Sequence, residues 1–214
     1  MTTNRLTMLQ RDLLEAFFRR ESRFFLTGGA ALAGFYLGHR ETADLDLFTI
    51  AGVLTEGEAA LRDAAADVGA SVENIQTAPD FRRRLVRRGV EGVVVDLVYE
   101  RAPQGEQPKR QFGFVWVDPP EEILANKLCA LLSRAEPRDL VDVLTLERTG
   151  LRVEDAVPLA ARKDTGLTPA QLAWVLSQIT IGDDAKIPGG LSSADLRSFL
   201  SDLIARLARL SFPR

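Results

Sequence analysis

With 214 residues, 46% hydrophobic and 27% charged, the chain can form one large domain, or a domain with a substantial appendage, around a real core. A net charge of −3 argues against bulk adhesion to nucleic acid but leaves room for a local basic patch, and no apolar run reaches the roughly 20 residues that span a bilayer. One cysteine, Cys129, and one histidine, His39, exclude a disulfide within the chain and a cysteine zinc cluster, so a metal site must rest mostly on carboxylates, which favours Mg²⁺ or Mn²⁺.

The opening stretch is polar and then amphipathic, unlike a secretory signal, and a cytoplasmic location is expected. Thr7 and Gln10 have the spacing of a capping box, and Leu9, Leu13, Ala16 and Phe17 give the following helix, to about residue 20, one apolar face. Residues 23–27 read as a short strand that Gly28-Gly29 breaks, and residues 30–37 are small and apolar enough for a buried helix. Gly38 is its stop, with His39 at the negative end in a structural role. Residues 45–50 read as a strand, 55–68 as a helix and 71–76 as a strand. Residues 81–87 and 91–99 form a hairpin around Arg88-Gly89, whose second arm is apolar enough for a central strand buried on both faces. A polar loop over 101–109 and a strand near 112–117 follow.

Asp118-Pro-Pro-Glu-Glu then starts a helix, with Asp118 as cap and Pro119 in the first turn. Beyond it the chain reads as helices only, at about 120–134, 137–148, 153–163, 168–179 and 193–210. Cys129 on the first of these is inert, Trp174 and Phe35 belong to the core, and Leu196, Phe199, Leu200, Leu203, Leu207 and Leu210 form a stripe packed on its own domain. The expected class is α+β: a mixed sheet flanked by helices over 1–118 and a helical domain over 119–214.

The chemistry concentrates at Asp44-Leu45-Asp46. On a strand, residues two apart share a face about 6.5–7 Å from each other. Asp44 and Asp46 therefore converge on one side and can hold or bridge divalent metal. Asp96, inside the apolar run Val93–Val98, is the natural third ligand; a carboxylate there needs a metal ion, a lysine or an arginine. Gly28-Gly29 allows positive φ and close backbone approach, and free amides at a helix start suit a phosphate. No Lys-Ser/Thr follows, so this is not a Walker-type loop. Arg82, Arg83, Arg84, Arg87 and Arg88 form either a solvated hairpin edge or an edge that binds a polyanion such as RNA. On the helix from 120, Lys127, Ala130 and Arg134 flank the core stripe of Leu124, Leu128, Leu131 and Leu132, so the two cations either snorkel or share a phosphate. On the next helix Asp139 and Asp142 lie opposite Leu140, Val141, Val143 and Leu144, and Asp139, in the first turn, also gains from the helix dipole.

The order of GG, then R-x-T-x-D-L-D, then an acid in an apolar strand is similar to the polymerase-β-like nucleotidyltransferase superfamily. The text ILANKLCALLSRAEPRDLVDVLTL resembles the second half of the AbiEii-type toxin nucleotidyltransferases, and the resemblance covers about residues 23–148. It implies that Gly28 and Gly29 form the phosphate-side turn, that Asp44 and Asp46 bind metal and that Asp96 completes the catalytic acids. It implies that Lys127 contacts the nucleotide phosphates, and it places Asp139 and Asp142 in an RD-x-x-D motif, the first on the nucleotide and the second in the catalytic set. A serine or threonine often follows GG in the superfamily; here Ala30 stands there, so any hydroxyl contact must come from elsewhere, with Thr27 and Thr42 as candidates. The implied activity is Mg²⁺- or Mn²⁺-dependent transfer of a nucleoside monophosphate from a nucleoside triphosphate to an acceptor hydroxyl of tRNA. The implied setting is a toxin neutralised by a cognate antitoxin. Two other readings stay open: transfer to a small molecule such as an aminoglycoside, and a degenerate domain that binds a nucleotide or partner without turnover.

Overall fold

The computed structural model describes residues 5–211, which divide into two compact units. The first comprises the chain up to Arg101 together with Pro108–Pro119, and the second comprises Ala102–Gln107 together with the chain from Pro120 onward.

In the first unit, α1 (Met8–Phe18) starts at a complete capping box, with Thr7 and Gln10 exchanging side-chain and backbone hydrogen bonds. The seven strands are β1 (Phe25–Thr27), β2 (Asp44–Thr49), β3 (Ser71–Ala78), β4 (Phe81–Arg88), β5 (Glu91–Tyr99), β6 (Arg110–Phe112) and β7 (Val115–Val117). They form one mixed sheet in the order β3-β4-β5-β2-β1-β7-β6. Between β1 and β2 lie the single turn α2 (Gly28–Ala31) and a π-helical stretch, Leu32–Tyr36. The expected buried helix is thus split into two short pieces. Residues 110–117 make a tight hairpin, β6 and β7, where one strand near 112–117 was expected.

Strand parity decides what each face of the sheet does. Leu45 and Leu47 of β2, and Val93, Val95 and Leu97 of β5, are buried on one face, against which α1 and α3 (Leu54–Asp67) pack. The opposite face carries Asp44, Asp46, Val94, Asp96 and Val98. β5 is central as expected, but its second face is only partly covered. The arginine-rich strand is not an edge, because β3 flanks it.

The five arginines also do not form one patch. Arg82, Arg84 and Arg88 point to the helix face, where Arg82 and Arg84 pair with Glu58 of α3 and Arg88 with Asp12 of α1. Arg84 is buried and bonds Glu58, Asn74, Thr77 and the Gln76 carbonyl. Arg83 and Arg87 point to the other face.

The second unit holds α4 (Pro120–Arg134), α5 (Pro137–Glu147), α6 (Val153–Lys163), α7 (Pro169–Ser177) and α8 (Ser193–Ser211). Helix α4 packs on α5, α6 and α7, and α8 packs on α5 and α7. Arg206 of α8 binds Glu147 at 2.6 Å and Glu154 at 3.0 Å, tying three helices together. Gly105 donates its amide to Glu122, which also pairs with the buried Lys163 at 2.5 Å, and this fixes the 102–107 segment to α4 and α6. Asp118 stands two residues before α4, within the first unit, and pairs with Lys109 at 2.5 Å. Trp174 is 61% exposed on α7, not a core residue, and Phe35 is only half-buried. Among the described residues no helix is long and apolar enough to cross a membrane.

Glu58 separates buried from surface ion pairing. Arg84→Ala removes a buried partner and is expected to lower stability by about 3 kcal/mol, whereas Arg62→Ala, which breaks an exposed pair to the same carboxylate, should cost less than about 1 kcal/mol. Urea unfolding of the two variants measures the difference.

Candidate functional site

The site of the first unit is a row across four strands. Thr27 of β1 is registered with Asp46 of β2, Asp46 with Asp96 of β5, and Asp96 with Arg83 of β4. Registered residues share a face, so four side chains stand side by side at roughly 4.8 Å intervals. Asp44 stands one step along β2 on the same face. Thr42 donates its hydroxyl to Asp44 Oδ1 at 3.0 Å, and the Thr42 carbonyl accepts from the buried Gln10 amide at 2.9 Å. Capping box and acidic strand are thereby joined.

The glycine turn closes one end of the row. Gly28 has φ +66°, and a Cβ there would lie 2.2 Å from Asp46 Oδ2. Conformation and space both demand glycine. A Cβ on Gly29 would lie 2.6 Å from Arg40 Nη2, so the Arg40 guanidinium sits against the turn. Arg40 received no role from its sequence; its place as the first residue of R-x-T-x-D-L-D was the available signal. The Thr27 hydroxyl is buried with no hydrogen-bond partner among the described residues, while the Thr42 hydroxyl is engaged by Asp44.

At the other end Arg83 closes on Asp96 with a two-pronged contact, Nε to Oδ1 at 2.8 Å and Nη2 to Oδ2 at 2.7 Å. The sequence required a cation for this buried carboxylate, and Arg83 is that cation. Hydrogen bonding to Asp96, reinforced by the fields of Asp96, Asp44 and Asp46, raises the guanidinium pKa, so the charge is permanent. Both oxygens of Asp96 accept from Arg83, so a metal contact by Asp96 beside Asp44 and Asp46 would use the second lone pair of an oxygen already bonded to the guanidinium. Among the described residues no group of three His, Cys, Asp or Glu side chains is placed to hold a metal ion. Asp44 and Asp46 alone still fit Mg²⁺, which is commonly held by one or two carboxylates together with substrate phosphates.

The second unit brings Lys127, Asp139, Asp142 and Arg134 together. Lys127 Nζ donates to Asp139 Oδ1 at 2.8 Å and pairs with Asp142 Oδ2 at 2.7 Å. Arg134 grips Asp139 through Nε at 2.8 Å and Nη2 at 3.0 Å. Both carboxylates are fully buried and Lys127 nearly so, while Arg134 is half-exposed. Burial alone would lower the lysine pKa, but Asp142 and Asp139 overcome it and the net shift is upward. Burial would raise Asp139, but Arg134 and Lys127 overcome it and the net shift is downward. Neither Lys127 nor Arg134 simply snorkels, since each is fixed by a buried acid.

A family model described as nucleotidyl transferase AbiEii toxin, type IV toxin–antitoxin system, matches residues 11–211. No curated protein matches. Similar solved structures include a nucleotidyltransferase from Helicobacter pylori given as putative (20% identity, 96% of each chain covered, TM-score 0.58). JHP933 from the same organism is 21% identical over 95% of this chain and 92% of its own, with a TM-score of 0.56. MenT4, a nucleotidyltransferase toxin from Mycobacterium tuberculosis, is 18% identical over 94% of this chain and 82% of its own, with a TM-score of 0.56. At these identities the likeness is one of fold.

Two measurements follow from this geometry. Gly28→Ala places a methyl group against Asp46 and is expected to weaken Mn²⁺ binding at least tenfold, read by electron paramagnetic resonance, at a stability cost of about 1–2 kcal/mol from the left-handed backbone. The depressed Asp139 pKa contributes stability that is present above the ordinary carboxylate range, near 3.9, and is lost as pH falls through the lower folded value. The raised Lys127 pKa contributes stability present below the ordinary lysine range and lost only at higher pH. Urea midpoints should therefore fall below about pH 4 in the native protein and less steeply in Asp139→Asn, with no slope from this cluster between pH 6 and 9.

Proposed function

Given that the chain belongs to the AbiEii toxin family of nucleotidyltransferases, we propose that its acidic sheet face is where nucleotidyl transfer takes place. The observation that carries this is Asp46 set against Gly28, with Asp44 beside it on the same face of β2. Mg²⁺ or Mn²⁺ held by Asp44 and Asp46 would neutralise charge on the triphosphate oxygens. The amides of Gly28 and Gly29 and the guanidinium of Arg40 receive phosphate oxygens, while Thr42 orients Asp44 and the unpartnered Thr27 hydroxyl is available as a further oxygen ligand. For Lys127, in the second unit, the family resemblance implies contact with a phosphate. Asp142 and Asp139 hold its ammonium in place, and Asp139 holds Arg134 as well.

In the reaction an acceptor hydroxyl attacks the α-phosphate of a nucleoside triphosphate, the bond to pyrophosphate breaks, and a nucleoside monophosphate is joined to the acceptor. The acceptor in this reading is tRNA and the setting cytoplasmic; a toxin role with a cognate antitoxin is supported by the type IV toxin–antitoxin family. Of the arginine cluster, only Arg83 and Arg87 face the side of the acids. Arg82, Arg84 and Arg88 are committed to Glu58 and Asp12.

Incubation with each α-labelled triphosphate, Mg²⁺ or Mn²⁺, and total RNA tests the reading. Labelled RNA is expected with the native chain, and a loss of at least 1,000-fold is expected in Asp44→Ala/Asp46→Ala, on the order of removing several kcal/mol of charge stabilisation. Equal labelling by both proteins would sink the assignment. Labelling of an added aminoglycoside in place of RNA would move the acceptor.

A further inference from the structure

The fork between Asp96 and Arg83 has no part in the scheme above. Asp96 is 6% exposed, and both of its oxygens lie in hydrogen bonds to one guanidinium. A metal ion on Asp96 would have to share an oxygen with the guanidinium, setting two cations on one carboxylate. The fork uses Nε and Nη2 of Arg83; Nη1 makes no hydrogen bond among the described residues, the guanidinium lies over the Phe81 ring at 5.4 Å from its centroid, and the side chain is 43% exposed. A buried acid thus presents the open side of a guanidinium to the solvent on the catalytic face.

We infer that Arg83, positioned by Asp96, binds a backbone phosphate of a polynucleotide acceptor. In this assignment Asp96 acts through Arg83 and is not a metal ligand. The inference rests on the catalytic reading given above for the face that Arg83 borders.

Three observations carry it. The first is position. The glycine turn borders Asp46 from the β1 side, while Arg83 lies two strands away on the β4 side, about 10 Å from Asp46. A triphosphate held at the turn leaves Arg83 to the other substrate. The second is charge. Asp44, Asp46 and Asp96 would repel an approaching polyanion, in a chain whose net charge is already −3. Arg83 offsets that field at the acceptor's end of the row. The third is geometry. A guanidinium clamped along one edge keeps its remaining donors aimed, and such a planar fork matches phosphate oxygens. Arg87, two residues along the same face, is paired with Glu73 at 3.2 Å, both half-exposed, and can exchange that partner at little cost.

The test uses the whole chain without nucleotide and two binding readouts: fluorescence anisotropy with labelled bulk tRNA, and Mn²⁺ binding by electron paramagnetic resonance. Arg83→Gln and Asp96→Asn are each expected to weaken tRNA binding five- to tenfold. The double variant should be no weaker than Arg83→Gln, and the salt slope should fall by about one in Arg83→Gln. Arg83→Lys keeps the charge but not the fork; it should fall between the native protein and Arg83→Gln, and it stands in should the glutamine variant not fold. Mn²⁺ affinity should stay within twofold in Asp96→Asn. Loss of Mn²⁺ binding in Asp96→Asn would return that carboxylate to the metal site and overturn the assignment, as would native tRNA affinity in folded Arg83→Gln. Neither readout needs turnover, so failure here is distinct from failure of the labelling assay.

Discussion

The parallel register of β2 against β5 places Asp46 directly beside Asp96, and the rest of the site can be understood as an answer to that repulsion. Like charges opposite one another on a sheet are destabilising. They persist here because each carboxylate has a different neighbour. Arg83 takes both oxygens of Asp96, and Thr42 donates to Asp44. Asp46 is set against a glycine that leaves it room. The strand to which each acid belongs therefore sets its neighbour: a guanidinium for Asp96, a hydroxyl for Asp44 and the glycine turn for Asp46.

Support for this row reaches back into the helix layer. The residue that completes the α1 capping box, Gln10, also donates to the Thr42 carbonyl, and Thr42 in turn holds Asp44. On the far side, Arg84 and Arg82 anchor β4 to Glu58 of α3, and Arg88 anchors it to Asp12 of α1. With alternate arginines fastened below the sheet, Arg83 is presented above it on a strand held from both sides. A buried charge such as Arg84 need not add stability over an apolar residue. What it contributes here is the register and orientation of the strand.

Much of this was legible in the sequence because it is local. Alternation in DLDLFT sets the face of the acids, and Pro and Gly mark the helix ends of the second unit. The demand of Asp96 for a cation was also readable, but the identity of that cation depended on two residues of turn. A turn at Arg88-Gly89 would set Phe81 opposite Asp96. The actual turn, Gly89-Val90, makes Arg88 face Glu91, and counting outward brings Arg83 to Asp96. The arginine cluster is divided between two faces by strand parity, and pairing with the preceding strand, β3, removes it from the edge. Trp174 was misjudged by composition, since apolarity alone does not say which side of α7 finds a neighbour.

The two units use the same device. In each, a buried carboxylate fixes a cation by a two-pronged contact: Asp96 holds Arg83, and Asp139 holds Arg134 while also receiving Lys127. An exposed lysine or arginine would lose side-chain entropy on meeting a phosphate, whereas a cation already clamped has lost most of it on folding. The cost appears in stability, because each buried acid depends on its partner. The return is a set of donors whose direction is set before substrate arrives. The raised pKa values of Arg83 and Lys127 add that these charges do not switch across the neutral range. Under the proposed function, a protein with a net charge of −3 would meet polyanions through a few fixed cations rather than through a broadly basic surface.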